Sequence, residues 1–379
     1  MRYSLNAIGV KLREIRRKRA MRPIGIDVGF GFTKATNGDE YVIFKSIIGE
    51  YTDIQFDFLL EDNQFEQNLQ VKLEDNMFFL GELAEKQSLV RQYTLDQDKL
   101  VSEFVKILAI SCLGMLTDEV ETVNVVTGLP VGYYRRDAKK IQEILQGFHK
   151  IEFLSRRGKG REKRVNIAKV KVVPQPMGSV FNLLFDEQGR VTNKKLVSQK
   201  IGVVDIGFRT TDFVLLDHLR YVERGSTTTD NGMSKCFSLI ANKLRQKAGV
   251  SIELYRLYEA IFSGSIKIKG KEYNILNLKE RVYSHFASQI ANDINRVWET
   301  DWDIDLIVLT GGGAKELFNY IKPLVEGNII LVESKSDPRL NNVMGYLKYG
   351  IYDLNKLKKE SAVVGTKGPK GEEEKKEQD

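Results

Sequence analysis

Two short stretches carry residues whose types and spacing suit phosphate chemistry. Ile24-Gly25-Ile26-Asp27-Val28-Gly29-Phe30-Gly31-Phe32-Thr33-Lys34 is an apolar run that ends in an aspartate, then turns through two glycines to a threonine and a lysine. Val203-Val204-Asp205-Ile206-Gly207-Phe208-Arg209-Thr210-Thr211-Asp212 repeats it, with Asp27 matching Asp205, Gly29 matching Gly207, Phe30 matching Phe208 and Thr33 matching Thr211. Each stretch reads as a buried strand that delivers a carboxylate to its end and is followed by a tight turn. Glycine lets backbone approach a ligand closely, and successive turn amides can form a nest for phosphate oxygens. A carboxylate beside phosphate is repelled unless Mg²⁺ sits between them. One such turn is weak evidence, because strands ending in glycine turns are common. Two in one chain suggest two related halves, each offering a turn and a carboxylate to a shared cleft.

A third stretch has related character. Ile304-Asp305-Leu306-Ile307-Val308-Leu309-Thr310 reads as a strand, Gly311-Gly312-Gly313 as a turn, and Ala314 to Val325 as a helix with apolar residues at Leu317, Ile321 and Leu324. A glycine run feeding a helix N-terminus favours an anionic or polar ligand. Gln175 lies between two prolines in Val172-Val173-Pro174-Gln175-Pro176, which fixes its backbone; it could simply cap a helix starting near Met177.

In this order the three stretches resemble the actin-like ATPase superfamily, which also includes sugar kinases and heat-shock chaperone ATPases. The resemblance spans about residues 22 to 355. It is narrowest toward prokaryotic actin-like filament proteins, the plasmid-segregation actins and their archaeal relatives, as Val126-Thr127-Gly128-Leu129-Pro130-Val131 and the Gln175 segment suggest. It implies an α/β, actin-like (ribonuclease H-like) fold with two related lobes around a central nucleotide cleft. By the same resemblance Gly29, Phe30, Gly31, Phe32 and Lys34 form the first phosphate loop, and Gly207, Phe208, Arg209 and Thr210 the second. Gly311, Gly312, Gly313 and Ala314 form the adenosine motif. Arg209 stands where the family usually has a small residue. Asp27 and Asp205 would hold Mg²⁺ mainly through its waters, which it sheds reluctantly. Gln175 would orient the attacking water, a task suited to an amide that donates and accepts together.

The implied activity is binding and slow hydrolysis of Mg²⁺-ATP, with GTP as the open alternative, coupled to self-assembly into filaments. The role would be cytoskeletal, or segregation of plasmid DNA through an adaptor protein. Two other readings remain open. One is a small-molecule kinase with Asp205 or Asp212 as base, a role for which Gln175 is poorly suited. The other is a nucleotide-gated, membrane-associated scaffold.

The 379 residues suit two or three domains, and 42% hydrophobic content marks the chain as globular. The two cysteines, Cys112 and Cys236, sit in helix-like apolar patterns and read as core, and three scattered histidines form no metal constellation. No signal peptide or membrane-spanning run is evident, so a reducing cytoplasm is expected. The net charge of +7 falls largely in residues 1–20 and 156–171, with no nucleic-acid-binding motif to support direct DNA binding. Residues 1–20 read as a basic amphipathic extension, with Leu5, Ile8, Leu12 and Ile15 on one face; it suits a membrane surface or a partner, and is otherwise dispensable or a misassigned start.

The expected plan places actin-like domain I over 21–198, completed by about 335–355, domain II over 199–334, and a disordered charged tail over 356–379. Periodicity predicts helices over 81–91, 100–116, 137–148, 233–247 and 281–298, and a basic hairpin tip near 155–164.

Overall fold

The computed structural model describes residues 22–54, 69–93, 101–155, 158–332 and 337–365. The expected N-terminal extension therefore lies outside the described residues, as do the hairpin tip at 156–157 and the end of the tail.

The two related turns sit in two sheets, of ten and five strands, that share a five-strand unit. The first contains β1 (Pro23–Val28), β2 (Phe32–Thr36), β3 (Tyr41–Lys45), β4 (Ile47–Glu50), β5 (Gln70–Leu73), β6 (Asn76–Leu80), β7 (Arg91–Tyr93), β8 (Val120–Leu129), β9 (Gly147–Ser155) and β10 (Gly158–Pro174). Its order is β3-β2-β1-β8-β10-β9-β5-β6-β4-β7. The second contains β11 (Lys200–Ile206), β12 (Thr211–Asp217), β13 (Arg220–Thr229), a later β16 (Leu306–Thr310) and β17 (Ile329–Leu331), in the order β13-β12-β11-β16-β17. Between them in sequence, β14 (Ser265–Ile268) and β15 (Lys271–Asn274) form a separate hairpin.

In each sheet three antiparallel strands are followed by two parallel ones: β3-β2-β1-β8-β10 repeats as β13-β12-β11-β16-β17. The sequence repeat is thus a repeat of the fold. The register makes it residue-specific, since Asp27 opposes Lys34 where Asp205 opposes Asp212.

The α-helices longer than one turn are α1 (Gly81–Gln87), α2 (Val101–Leu116), α3 (Val131–Leu145), α4 (Met177–Leu184), α5 (Met233–Ala248), α6 (Leu257–Ser263), α7 (Leu276–Val297), α8 (Gly312–Ile321) and α9 (Asn341–Gly365). The α2 face of Phe104, Leu108 and Cys112 is buried against the first sheet, while α5, α7 and α8 cover one side of the second. Helices α4 and α9 lie between the sheets. Val180 and Leu184 pack on Val203 and Val214 of the second sheet, and Tyr346 packs on Val126 and Val173 of the first. The two helices cross with backbones in contact: a Cβ on Gly178 would fall 2.6 Å from the Asn342 Cα, so only glycine fits there.

Three expectations need correction. Helix α3 begins at Val131, directly after Pro130, and ends at Leu145; Phe148, placed on its face by spacing, instead lies in β9 and is exposed. Helix α1 stops at Gln87, after which the chain becomes strand β7. The tail expected to be disordered from 356 is helical to Gly365. Lysine and glutamate propagate a helix well once buried Val343, Tyr346 and Leu347 anchor its first turns. Cys112 and Cys236 are buried free thiols, as expected, and burial pushes the Cys236 thiol up to about 12.

Candidate functional site: a cleft between two equivalent turns

Each turn is closed by the same hydrogen bond. The Gly29 amide donates to the Phe32 carbonyl at 3.1 Å, and the Gly207 amide to the Thr210 carbonyl at 2.9 Å. The turns face one another across a cleft of about 650 Å³, partly open to solvent. Asp27, Gly29, Phe30, Gly31, Phe32 and Lys34 line it from the first lobe, and Asp205, Gly207, Phe208 and Thr210 from the second. Gln175, Gly311 and Gly312 line it as well.

Three predicted residues do not line the cleft. Gly313 and Ala314 are packed inside the second lobe, where a Cβ on Gly313 would lie 2.7 Å from Ile206 and Met233 side-chain atoms. The Arg209 guanidinium lies over the Phe30 ring, 5.5 Å from its centroid. A bulky residue is tolerated at that turn position because its side chain leaves the cleft.

The acidic strand ends are almost fully buried. Asp27 is 1% exposed and Asp205 4%. The Asp27 carboxylate accepts from Lys34 Nζ at 2.5 Å and from Gln175 Nε2 at 2.9 Å. Lys34, expected to point at ligand, therefore also sits on the carboxylate beside it, because register places the two side by side across β1 and β2. Since a carboxylate only accepts, the Gln175 amide must turn its NH₂ to Asp27, which leaves Oε1 as the atom that can accept from a water. The Gln175 backbone is fixed from both sides: its amide donates to the Leu129 carbonyl, and its carbonyl accepts from the Tyr346 hydroxyl at 3.0 Å.

Asp205 has no lysine at the equivalent position. Its carboxylate accepts from Asn342 Nδ2 at 2.7 Å. Burial, helped by the nearby Asp212 and Asp27 carboxylates, pushes it up to about 7 despite that bond. Burial likewise raises Asp212 to about 6, against the bonds it accepts. Two bonds cross between lobes: Asp212 Oδ1 accepts from the Val131 amide at 2.7 Å, and Thr228, whose hydroxyl donates to the same oxygen at 2.5 Å within the second lobe, accepts from the Gly132 amide. Pro130 provides no side-chain cap to α3, so the second lobe caps a helix of the first.

Sequence reasoning left out several residues that line this cleft, namely Tyr258, Thr310, Arg339, Asn341 and Asn342. Ser179, Thr310 and Asn342 form a buried chain of hydrogen bonds that ends on Asp205. Arg339 is held by Asp337 and stacks over Phe32, 4.7 Å from the ring centroid. Thr310 ends the strand that the glycine run already marks, but no local pattern marks the other four, which reach the site from parts of the chain outside the three stretches. Behind the first turn, Tyr255 donates its hydroxyl to the Phe30 carbonyl and stacks on Tyr93, and Arg91 forms two 3.1 Å bonds to Glu253.

The cleft fits a hydrated cation with an anion. Asp27, Asp205 and Asp212 are buried around one lysine, and Asp205 is raised first by that burial and then by the two neighbouring carboxylates. Among the described residues no three His, Cys, Asp or Glu side chains converge to ligate a metal directly.

A family model described as the N-terminal domain of actin-like proteins matches residues 25–178. A second, described as the C-terminal domain of the archaeal actin homologue, MreB-like, matches residues 203–322. No curated protein sequence matches the chain closely. Among solved structures, ParM in a 15-stranded filament from Clostridium botulinum is similar with a TM-score of 0.71 and 25% identity, covering 87% of this chain and 99% of that one. The archaeal actin homologue Ta0583 in complex with ADP gives 0.71 and 19%, covering 89% and 100%. Bacillus thuringiensis ParM with AMPPNP gives 0.68 and 18%, covering 88% and 99%. Domain models match both lobes, and the two-lobe architecture is shared along the whole length of these relatives: the chain belongs to the prokaryotic actin-like proteins.

Proposed function

We propose that the protein is a nucleoside triphosphatase whose nucleotide state controls its assembly into filaments. The observation that carries this reading is the pair of equivalent turns, each with a buried aspartate at its strand end, facing one another across one cleft. Two such turns can hold a polyphosphate from both sides with backbone amides, and Lys34 supplies the matching cation. Asp27 and Asp205 would hold Mg²⁺ through water, and the ion would supply charge neutralisation for the phosphates. Gln175, locked by Asp27, Leu129 and Tyr346, holds an acceptor oxygen where a water can be aligned.

Tyr258 and Arg339, which line the cleft with Gly311 and Gly312, supply an aromatic ring and a guanidinium that suit a purine. ATP is the preferred assignment on the strength of the ADP and AMPPNP bound by structural neighbours, with GTP as the competitor to be measured. Assembly is supported by the filament formed by the Clostridium botulinum ParM relative. The biological role that fits is cytoskeletal, or DNA segregation through an adaptor. Among the described residues no helix is long and apolar enough to cross a membrane.

The test is light scattering run in parallel with phosphate release after Mg²⁺-ATP or Mg²⁺-GTP is added. Scattering that rises with nucleotide and decays as phosphate appears supports the reading. Nucleotide turnover that only transfers phosphate to an added small molecule, with no scattering, would replace it with a kinase.

A further inference from the structure

Away from the cleft, α7 separates two surface features of opposite chemistry. Beyond its C-terminus, residues 299–305 read Glu-Thr-Asp-Trp-Asp-Ile-Asp, and Trp302 at their centre is 90% exposed. The loop is pinned rather than loose. Asp301 pairs with Arg224 at 2.6 Å and Lys200 at 2.8 Å, Asp303 pairs with Lys200 at 2.5 Å, and Asp305 accepts from the Lys200 amide at 2.8 Å. Its four carboxylates outnumber the two cations, so this end of the lobe is negative around a presented indole.

Before the N-terminus of α7 stands the β14–β15 hairpin, which exposes Lys267, Lys269 and Lys271 against a single acid, Glu272. Next to it Phe262 is 58% and Leu276 52% exposed. The two adjoin, because Gly264, two residues past Phe262, lies so close to Leu276 that an added Cβ would meet its Cγ at 2.8 Å. The hairpin side of this end is positive, while Glu259 and Glu280 are the exposed acids on the helices that carry Phe262 and Leu276.

Isolated exposed apolar side chains are ordinary. Here they form two patches, one set among carboxylates and the other beside the hairpin lysines. The 22 residues of α7 keep the patches about 33 Å apart, so they cannot meet within one molecule.

We propose that the Trp302 loop of one molecule docks on the hairpin end of a second copy, with Trp302 against Phe262 and Leu276 and the loop carboxylates facing the hairpin lysines. Because the two patches differ, the contact is heterologous and repeats along the chain of copies instead of closing into a twofold dimer. Tryptophan has the size and rigidity of an interface anchor, and the surrounding charges set orientation and salt sensitivity. The proposal rests on the assembly reading above and adds the surface that carries it.

The experiment uses the full chain with Mg²⁺-ATP, followed by pelleting and by tryptophan emission. Variants Trp302→Ser and K267E/K269E/K271E are first checked for folding by circular dichroism. Each is expected to raise the critical concentration at least tenfold. Mixed in equal amounts, they are expected to form heterodimers in sedimentation velocity, since each retains one intact face, but no polymer. Parent emission is expected to shift to the blue on assembly, because Trp298 is already buried and Trp302 is the indole that leaves water. Folded variants that assemble at the parental concentration, or a mixture that stays monomeric, would overturn the contact while leaving the assembly reading in place. A parent that never assembles with nucleotide would overturn both.

Discussion

Replacing Asp205 with asparagine separates what this side chain does for the fold from what it does for a ligand. Burial and the neighbouring Asp212 and Asp27 carboxylates hold its pKa at about 7 against a reference of 3.8. The folded protein therefore binds a proton here more tightly than the unfolded chain. Stability from this group is fully present below about pH 4 and is lost as pH rises through about 7. Three pK units at 1.36 kcal/mol each set a ceiling of about 4 kcal/mol on the cost of ionising Asp205 at pH 8 without ligand. Relaxation of its neighbours and the need to place the new NH₂ reduce the expected gain for Asp205→Asn to on the order of 2 kcal/mol. Asparagine keeps an oxygen to accept from Asn342, so the buried chain through Ser179 and Thr310 survives. The assay is urea unfolding of parent and variant at pH 5 and pH 8 without nucleotide or Mg²⁺, with Mg²⁺-ATP titrations at pH 8. The variant should be more stable at pH 8, by a margin that widens from pH 5, and should bind Mg²⁺-ATP far more weakly. A variant less stable than the parent at pH 8, or a margin independent of pH, would refute the reasoning.

Further expectations concern single contacts. Gly311 has φ of +90°, and a Cβ there would collide with the Asp205 carboxylate; Gly311→Ala should lower stability by about 2 kcal/mol or more and abolish nucleotide binding, read by thermal unfolding and titration. Asp212→Ala removes the cap that the second lobe places on α3; it should speed hydrogen exchange at the Val131 and Gly132 amides and cost about 1 kcal/mol. Gln175→Ala should keep Mg²⁺-nucleotide affinity but slow phosphate release by roughly tenfold to a thousandfold, with filaments that persist longer. Unchanged phosphate release would remove Gln175 from the chemistry.

The parts of the site that sequence reveals are those built from local grammar. An aspartate that ends a β-branched run and precedes glycine specifies strand and turn together, which is why Asp27 and Asp205 could be paired by eye and fall at equivalent places in two sheets. The contribution of α9 was illegible. Asn342 reaches Asp205 across 137 residues and Tyr346 reaches Gln175 across 171. Before folding, an asparagine near a helix start looks only like a cap. The place of the Arg209 side chain was equally illegible: its backbone belongs to the turn, while its guanidinium lies over the Phe30 ring of the other lobe. Phe148 satisfied the helical period after Leu145, yet Gly147, with φ of +114°, breaks the helix and begins β9.

On the function proposed above, the two equivalent turns jointly hold a Mg²⁺-nucleotide. Calorimetric titration of ATP into the parent and into Asp27→Ala, with Mg²⁺ and again with excess EDTA, tests it most directly. Saturable one-to-one binding is expected of the parent, weakened about a hundredfold or more when either Mg²⁺ or the carboxylate is removed, with no further weakening when both are. Binding to Asp27→Ala that equals the parent's and ignores EDTA would contradict it.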